Sequence, residues 1–423
     1  MNTTNKAETK TLILIGAGLR GMGYTHIANL MEGRFKVVAV AEPIPERRAY
    51  VQERHGIPAE YCFDTWEKLL ALPKIADAAL VCTMDRDHFA PSMAAIEKGY
   101  DLLVEKPVSP SLEECEALDR RAKELGRSVL VCHVLRYTPF FNALKKIIDD
   151  GTLGEIMHIQ HMECVGNVHQ SHSFVRGNWH RDDETSPMLL QKCCHDMDIL
   201  QWMLGKKCLR VHSFGSLTHF RPENAPEGAP EYCIDGCPKG STCPYNAVKL
   251  YLDDKNNGWF RGASTRLPEP TDEDVIRVLR TTNYGRCAYK CDNNVVDHQT
   301  ADLEFEGGTT VSFSMCAFGK SARTIRIMGT KGDLRAEMGN PNVTIYDFET
   351  SSYRTLSIDD MVLDETIVGG HGGGDTGLMY TLYDMLTLPD GAKYSNLSES
   401  VASHKIVFAA EKSRLEGRVV DVE

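Results

Sequence analysis

"TLILIGAGLRGMGYTHIANLME", residues 11–32, decides the fold. Leu12 to Ile15 form an unbroken apolar run, which suits a strand buried on both faces, as in a parallel sheet. Gly16-Ala17-Gly18-Leu19-Arg20-Gly21 follows and matches G-x-G-x-x-G. Behind it, His26, Ile27, Leu30 and Met31 stand at helical spacings. In a strand–turn–helix context each glycine has its own task. One makes the tight turn, one lets a pyrophosphate approach the backbone, and one permits close helix–strand packing. The helix N-terminus then faces the phosphates. Gly16, Gly18, Leu19, Arg20 and Gly21 are therefore candidate cofactor-binding residues.

The next apolar strand, "FKVVAVAEP", ends in Glu42, where an acidic residue meets the adenosine ribose hydroxyls. A carboxylate there repels a 2′-phosphate and favours NAD over NADP, although Arg47 and Arg48 close behind weaken that preference. Strand and helix keep alternating. "AALVCTMDRDH" reads as a strand, "FAPSMAAIEKG" as a helix ending before Gly99, and "YDLLVEKP" as a strand. "SLEECEALDRRAKELG" is a helix capped by Ser111 and stopped by Gly126, and "SVLVCHVLRY" is a further strand. Such βαβ repetition predicts an α/β, doubly wound parallel sheet.

At 423 residues, two domains are expected. The boundaries read as an NAD-binding domain over 1–132 and a substrate-binding and oligomerisation domain over 133–423, with a Cys-rich insertion at about 220–292. A net charge of −12 argues against nucleic acid as a partner. The sequence has no apolar run of about eighteen residues, so no membrane span is expected. "MNTTNKAETK" is polar and lacks the apolar core of a secretory signal, which places the chain in the cytoplasm, with its fourteen cysteines mostly reduced.

"YDLLVEKPVS", residues 100–109, ends a buried strand in Glu105 and Lys106, followed by Pro107. Ligands of such sheets sit beyond the carboxyl ends of the strands, where Lys106 stands. With Gly16–Gly21, Glu105-Lys106-Pro107 and a histidine segment near residue 195, the chain resembles the Gfo/Idh/MocA oxidoreductases. The resemblance implies an N-terminal Rossmann domain and a C-terminal α/β domain with an open, mostly antiparallel sheet. It also implies nicotinamide-dependent redox chemistry on sugars, cyclitols or related polyols, and a catalytic or substrate-contacting role for Lys106. Near the positive nicotinamide ring of NAD⁺, burial and like charge would both disfavour the ammonium form. Such a lysine can take a hydroxyl proton while hydride leaves the same carbon. Glu105 would orient it, and Pro107 would hold the bend, with a cis bond before it. The competing reading is a salt-bridged strand end.

"SPMLLQKCCHDMDILQWMLG" reads as an amphipathic helix, with Gln191, Lys192, His195 and Asp198 sharing one side. It resembles the family's D-x-x-x-H, except that the family's Asp falls at Gln191. Glutamine cannot act as a base but can bind a sugar hydroxyl. Lys106 and His195 are thus expected to share acid–base work, with Lys192 as an electrostatic partner. Further substrate candidates are Arg136 and Tyr137 after the last Rossmann strand, Trp179 and His180 in a polar loop, and His371 and Asp375 in "IVGGHGGGDTGLMYTLYDML".

In the insertion, Cys233, Cys237, Cys243, Cys287 and Cys291 are candidates for structural zinc, against the competing reading of buried thiols. From "VVDHQTADLEFEGGTTVSFSMCAF" onward, period-two alternation with a Gly307-Gly308 turn predicts an antiparallel meander. That sheet commonly forms subunit contacts in the family, so a homo-oligomer is expected. Three functions remain open. The first is an NAD-dependent oxidoreductase acting on a small sugar, glycoside or cyclitol. The second is an NAD-dependent glycosidase working by transient oxidation, elimination and hydration. The third is a non-catalytic NAD or sugar sensor.

Overall fold

The computed structural model describes residues 8–255, 258–361, 370–388 and 394–423. Contacts divide the chain into two units, 1–138 with 364–402, and 139–363 with 403–423.

In the first unit the apolar runs become strands β1 (Lys10–Ile15), β2 (Phe35–Ala41), β3 (Cys62–Phe63), β4 (Ala78–Val81), β5 (Asp101–Val104) and β6 (Val129–Val131). They form one sheet in the order β3-β2-β1-β4-β5-β6, every neighbouring pair parallel. Leu12 to Ile15 are sealed on both faces, as their unbroken run requires. The helices between them are α1 (Leu19–Leu30), α2 (Pro45–His55), α3 (Trp66–Ala71), α4 (Phe89–Glu97) and α5 (Leu112–Leu125). Ser111 caps α5 by accepting from the Glu114 N–H, and Gly126 ends it in the left-handed conformation. β6 is shorter than its apolar run suggests. Val134–Tyr137 coil into a 3₁₀ turn, so Arg136 and Tyr137 lie on a turn rather than a strand.

The second unit opens with α6 (Pro139–Asp149), β7 (Ile156–Cys164) and the short α7 (Asn167–Gln170), which runs into a π-helical turn over Ser171–Arg176. The long helix α8 (Met188–Leu204), strand β8 (Cys208–Ser216), and the insertion helices α9 (Gly258–Thr265) and α10 (Asp272–Thr281) follow. The meander is β9 (His298–Phe305), β10 (Thr310–Cys316), β11 (Ala322–Gly329), β12 (Gly332–Glu337), β13 (Asn342–Asp347) and β14 (Ser352–Ser357). Helices α11 (Gly374–Thr387) and α12 (Leu397–Glu416) and strand β15 (Val420–Asp421) end the chain. The nine-stranded sheet runs β14-β13-β12-β11-β7-β10-β9-β8-β15, antiparallel except for β7 with β10.

Two expectations need correction. Residues beyond 132 do not all belong to the second unit. In α11, Leu378, Met379 and Leu382 pack with Leu12, Leu14, Leu80 and Leu130 of the first unit's core. And α8 is not amphipathic. From Met188 to Leu200 every residue but Lys192 is buried, so the helix is enclosed nearly all round. Among the described residues no helix is long and apolar enough to cross a membrane.

Candidate cofactor and catalytic site

The glycine loop at the end of β1 is shaped by close backbone approaches. Gly16 has φ +90, and a Cβ there would stand 2.6 Å from the Cys82 carbonyl oxygen. A Cβ on Gly21 would meet the Gly16 carbonyl oxygen at 2.2 Å. At Gly18 the nearest atom to such a Cβ is an Arg47 guanidinium nitrogen, 3.9 Å away, which leaves the backbone open to a ligand. Gly18 is the N-cap of α1 and carries no side-chain cap, so the helix presents its first N–H groups and Leu19 at an uncapped end. At the end of β2, buried Glu42 accepts from Ala17 N–H at 2.7 Å and from Ile44 N–H at 2.9 Å. The Arg48 guanidinium donates to the Glu42 carbonyl. An open glycine backbone, an uncapped helix start and a carboxylate at the second strand's end fit a nicotinamide dinucleotide.

Arg20 is arranged differently from the expectation of a cofactor ligand. Its Nε donates to Glu105 Oε1 at 2.8 Å, and its Nη1 and Nη2 grip Asp375 at 3.0 and 2.7 Å. Tyr24, one turn along α1, adds its hydroxyl to Glu105 Oε1 at 2.7 Å and also contacts Arg20 Nη2. The other oxygen of Glu105 accepts from the Lys106 backbone N–H at 3.1 Å. The Lys106–Pro107 peptide is cis. Burial pushes the Glu105 carboxyl up, but Arg20 and Lys106 outweigh it and hold it below the usual carboxylate range. Asp375 is likewise held low, burial being outweighed by the bonds from His371 and Arg20. His371 Nδ1 lies 3.1 Å from both Asp375 oxygens. An ionised carboxylate only accepts, so Nδ1 carries the proton. Gly373 is the N-cap of α11, with Asp375 turned to Arg20 and His371 rather than capping the helix.

Arg136 and Tyr137 hold the chain rather than stand apart from it. Arg136 pairs with Glu399, and the Tyr137 hydroxyl accepts from the Ser395 N–H at 2.9 Å. Neighbouring His133 is buried, and burial, Arg136 and Lys106 push its imidazole well below its ordinary value.

On α8, His195 is buried. Gln191 turns its amide nitrogen to Thr185 Oγ1 at 2.7 Å and to the Ser186 carbonyl. Lys192 Nζ lies 3.4 Å from Glu163 Oε1 on β7. Glu163 is also paired with Arg323 of β11 at 2.7 Å, and Arg323 Nε reaches Asp196 Oδ1 at 2.9 Å. Asp196 Oδ1 faces His161 Nε2 at 2.8 Å. Arg323 and His161 hold the Asp196 carboxyl down against the upward push of burial. Glu163, Arg323 and His161 were not among the expected site residues. One signal existed: Glu163 and His161 fall on the inward register of β7, where a charge is costly unless paired. Trp179 lies beside Phe174, ring centroids 6.2 Å apart, and His180 Nδ1 contacts the Gly177 carbonyl at 2.8 Å.

Zinc is not supported. Cys233, Cys237, Cys243 and Cys287 line one small pocket with Tyr245 and Tyr289. Yet among the described residues no group of three or more His, Cys, Asp or Glu side chains is placed to hold a metal. All fourteen cysteines are free, and burial pushes up the thiols of Cys243, Cys287 and Cys291, the last to about 11. These are neutral, packed side chains.

Comparison with known proteins agrees with this geometry. Residues 10–133 match the oxidoreductase family's NAD-binding Rossmann fold, and residues 145–422 match its C-terminal alpha/beta domain. YteT of Bacillus subtilis is 23% identical over 91% of this chain and 93% of its own length. The scyllo-inositol 2-dehydrogenase (NAD⁺) of Bacillus subtilis is 28% identical over 47% of this chain and 56% of its own. The 2,7-anhydro-N-acetylneuraminate hydratase of Mediterraneibacter gnavus is 27% identical over 47% of this chain and 50% of its own. An inositol dehydrogenase homolog from Azotobacter vinelandii, solved with NAD⁺, shares the fold over 100% of both chains, with a TM-score of 0.71 and 18% identity. Matched in both its Rossmann and its C-terminal parts, the chain belongs to the Gfo/Idh/MocA family of NAD-binding oxidoreductases.

Proposed function

We propose that this chain is an NAD-dependent oxidoreductase that moves hydride between nicotinamide and a secondary hydroxyl of a sugar, glycoside or cyclitol. The observation that carries the reading is Lys106, which leaves the carboxyl end of β5 in the unit that holds the open glycine loop, its backbone N–H fixed by buried Glu105. Gly16, Gly18, Leu19, Gly21 and Glu42 would hold the dinucleotide. When bound, the dinucleotide would supply the hydride acceptor for the carbinol carbon. Lys106 takes the hydroxyl proton, so the carbinol becomes a ketone with its charge balanced. His195 is proposed as the second acid–base residue and Lys192 as its electrostatic neighbour, both on α8, which ion pairs of Lys192 with Glu163 and of Asp196 with Arg323 hold in place. Gln191, Trp179, His180, Arg136, Tyr137 and His371 remain proposed substrate-side residues, whereas the Asp375 carboxylate is taken by Arg20 and His371. The cyclitol substrate class draws on the inositol dehydrogenase relative.

The hydratase relative favours a second reading, in which oxidation is transient, elimination and water addition follow, and hydride returns. Free thiols support a cytoplasmic home. Exposed Met157, Met162 and Phe214 on the large sheet support a homo-oligomer.

The test is incubation with NAD⁺ and a panel of free sugars, inositols and aryl glycosides, following NADH absorbance and sugar release together. A dehydrogenase accumulates NADH with substrate, and Lys106→Ala lowers that rate about 10²–10⁴-fold. Aglycone release without net NADH selects the second reading. Wild-type turnover undiminished in Lys106→Ala overturns the assignment of Lys106.

A further inference from the structure

We propose that Arg20 and Asp375 are positioning residues for Lys106, acting through Glu105. The inference rests on the reading that Lys106 does the proton transfer. Four of the five guanidinium N–H donors of Arg20 are engaged within the unit, one by Glu105, two by Asp375 and one by Tyr24. A planar fork held at both edges sets the Glu105 carboxylate in one orientation. With Oε1 committed to Arg20 and Tyr24, Oε2 is aimed at the Lys106 N–H, and the backbone that launches the lysine side chain is fixed.

The far end of this chain of bonds is built with equal care. Asp375 lies 355 residues from Arg20 and is gripped bidentately. His371, on its other side, holds φ +53, a left-handed conformation that a histidine adopts at a cost. Such strain persists only where surrounding bonds over-determine it, and the His371–Asp375 contact is one of them. The order is therefore His371, Asp375, Arg20, Glu105, Lys106. The charged and titratable groups around Glu105 are Arg20, Tyr24, Lys106, Cys82, Cys132 and His133. Of these, Arg20 is tied to the returning segment of the chain through Asp375.

The test reads Lys106 directly. Full-length protein with and without NAD⁺ is labelled with trace acetic anhydride at several pH values. The Lys106 rate is then measured by peptide mass spectrometry against exposed Lys331. In Asp375→Asn we expect the Lys106 rate to change at least about 3-fold and its pH midpoint to move, with Lys331 unchanged and Asp375→Glu restoring most of the difference. NAD⁺ affinity should stay within about 2-fold, and kcat should fall about 10–100-fold at constant KM. Tyr24→Phe removes one bond to Glu105 without touching a charge. It should change Lys106 labelling in the same direction and by less, which keeps the test available if Asp375→Asn folds poorly. Wild-type labelling of Lys106 in both variants overturns the proposal and leaves the network a structural clasp. Labelling needs no turnover, so a failed substrate panel does not affect this result.

Discussion

Each unit buries carboxylates against an arginine, but the two arrangements differ in access to water. In the first unit, Arg20 links Glu105 to Asp375 with its side chain 35% exposed, and the chain of bonds ends on half-open His371. In the second, Arg323 sits between Glu163 and Asp196 with its side chain 12% exposed, and both carboxylates are sealed. Elsewhere in the same unit, His172 is stacked on Phe260 at 4.0 Å with Tyr251 at its Nδ1, a titratable ring enclosed by aromatic groups. An open network can relay a change of charge or position. A sealed one can only hold its elements together, here α8 to β7 and β11, because any loss inside it leaves a charge without water.

The largest expected effect tests that sealing. Among the described residues, Arg323→Met leaves Lys192 as the ion-pair partner of Glu163 and His161 as that of Asp196. Removing one partner of a buried ion pair costs about 3–5 kcal/mol, read from urea unfolding. Arg323→Lys should recover only part, since an ammonium cannot make the two-pronged contact of Arg323 Nε and Nη2 with Asp196. A cost under about 1 kcal/mol would mean that water reaches the pair and that the two units do not differ.

The next effect is read in pH. Burial, aided by Arg176, pushes His172 down to about 3 from an ordinary 6.5. The unfolded chain therefore takes up a proton that the folded chain refuses. The stability from keeping this ring neutral is fully present above about pH 6.5 and is lost as pH falls toward about 3. Between pH 7 and pH 5 the loss is about 2 kcal/mol. His172→Phe should flatten that part of the stability–pH curve. The slope is the readout, because His172→Phe also takes a partner from the Tyr251 hydroxyl and so shifts stability at every pH. An unchanged slope would show that His172 is hydrated.

The same contrast explains what the sequence could tell. The glycine loop, the strand ending at Lys106 and the helix stops at Gly99 and Gly126 are local patterns, and each was legible. The hairpin at Gly307–Gly308 was legible for the same reason. Partners far apart in the chain were not. Arg20 reads as a cofactor ligand because it lies inside G-x-G-x-x-G, and only the fold shows Asp375 reaching it. α8 reads as amphipathic because Gln191, Lys192, His195 and Asp198 share one side, and only the fold supplies Glu163, Arg323 and His161 to compensate buried charge there. The five cysteines cluster in one stretch of sequence, which makes them metal candidates, whereas in the fold their thiols pack near tyrosines. The return of α11 to the first unit carries no local signal, since an apolar helix face does not say which sheet it covers.

The smallest effect compares two helix starts, one per unit, in which the local pattern was sufficient. Ser111 accepts from the Glu114 N–H at 3.3 Å and caps α5 with its side chain alone. Thr271 accepts from the Asp274 N–H at 3.2 Å, and Asp274 accepts in return from the Thr271 N–H at 3.1 Å, a reciprocal box at the start of α10. Replacing a capping Ser or Thr by Ala costs about 0.5–2 kcal/mol. Both hydroxyls also donate to a first-turn carboxylate, Ser111 to Glu113 at 2.7 Å and Thr271 to Asp274 at 2.8 Å. Ser111→Ala should cost more, because in Thr271→Ala the Asp274 carboxylate still accepts from the residue 271 N–H, whereas the Ser111 N–H bonds to Ser109 outside the helix. Urea unfolding of the two variants ranks them, provided each unit's transition is followed by its own probe. If Ser111→Ala costs as much as Thr271→Ala, the second arm of the box contributes nothing. Cap strength would then follow the hydroxyl alone, in the open unit and the sealed one alike.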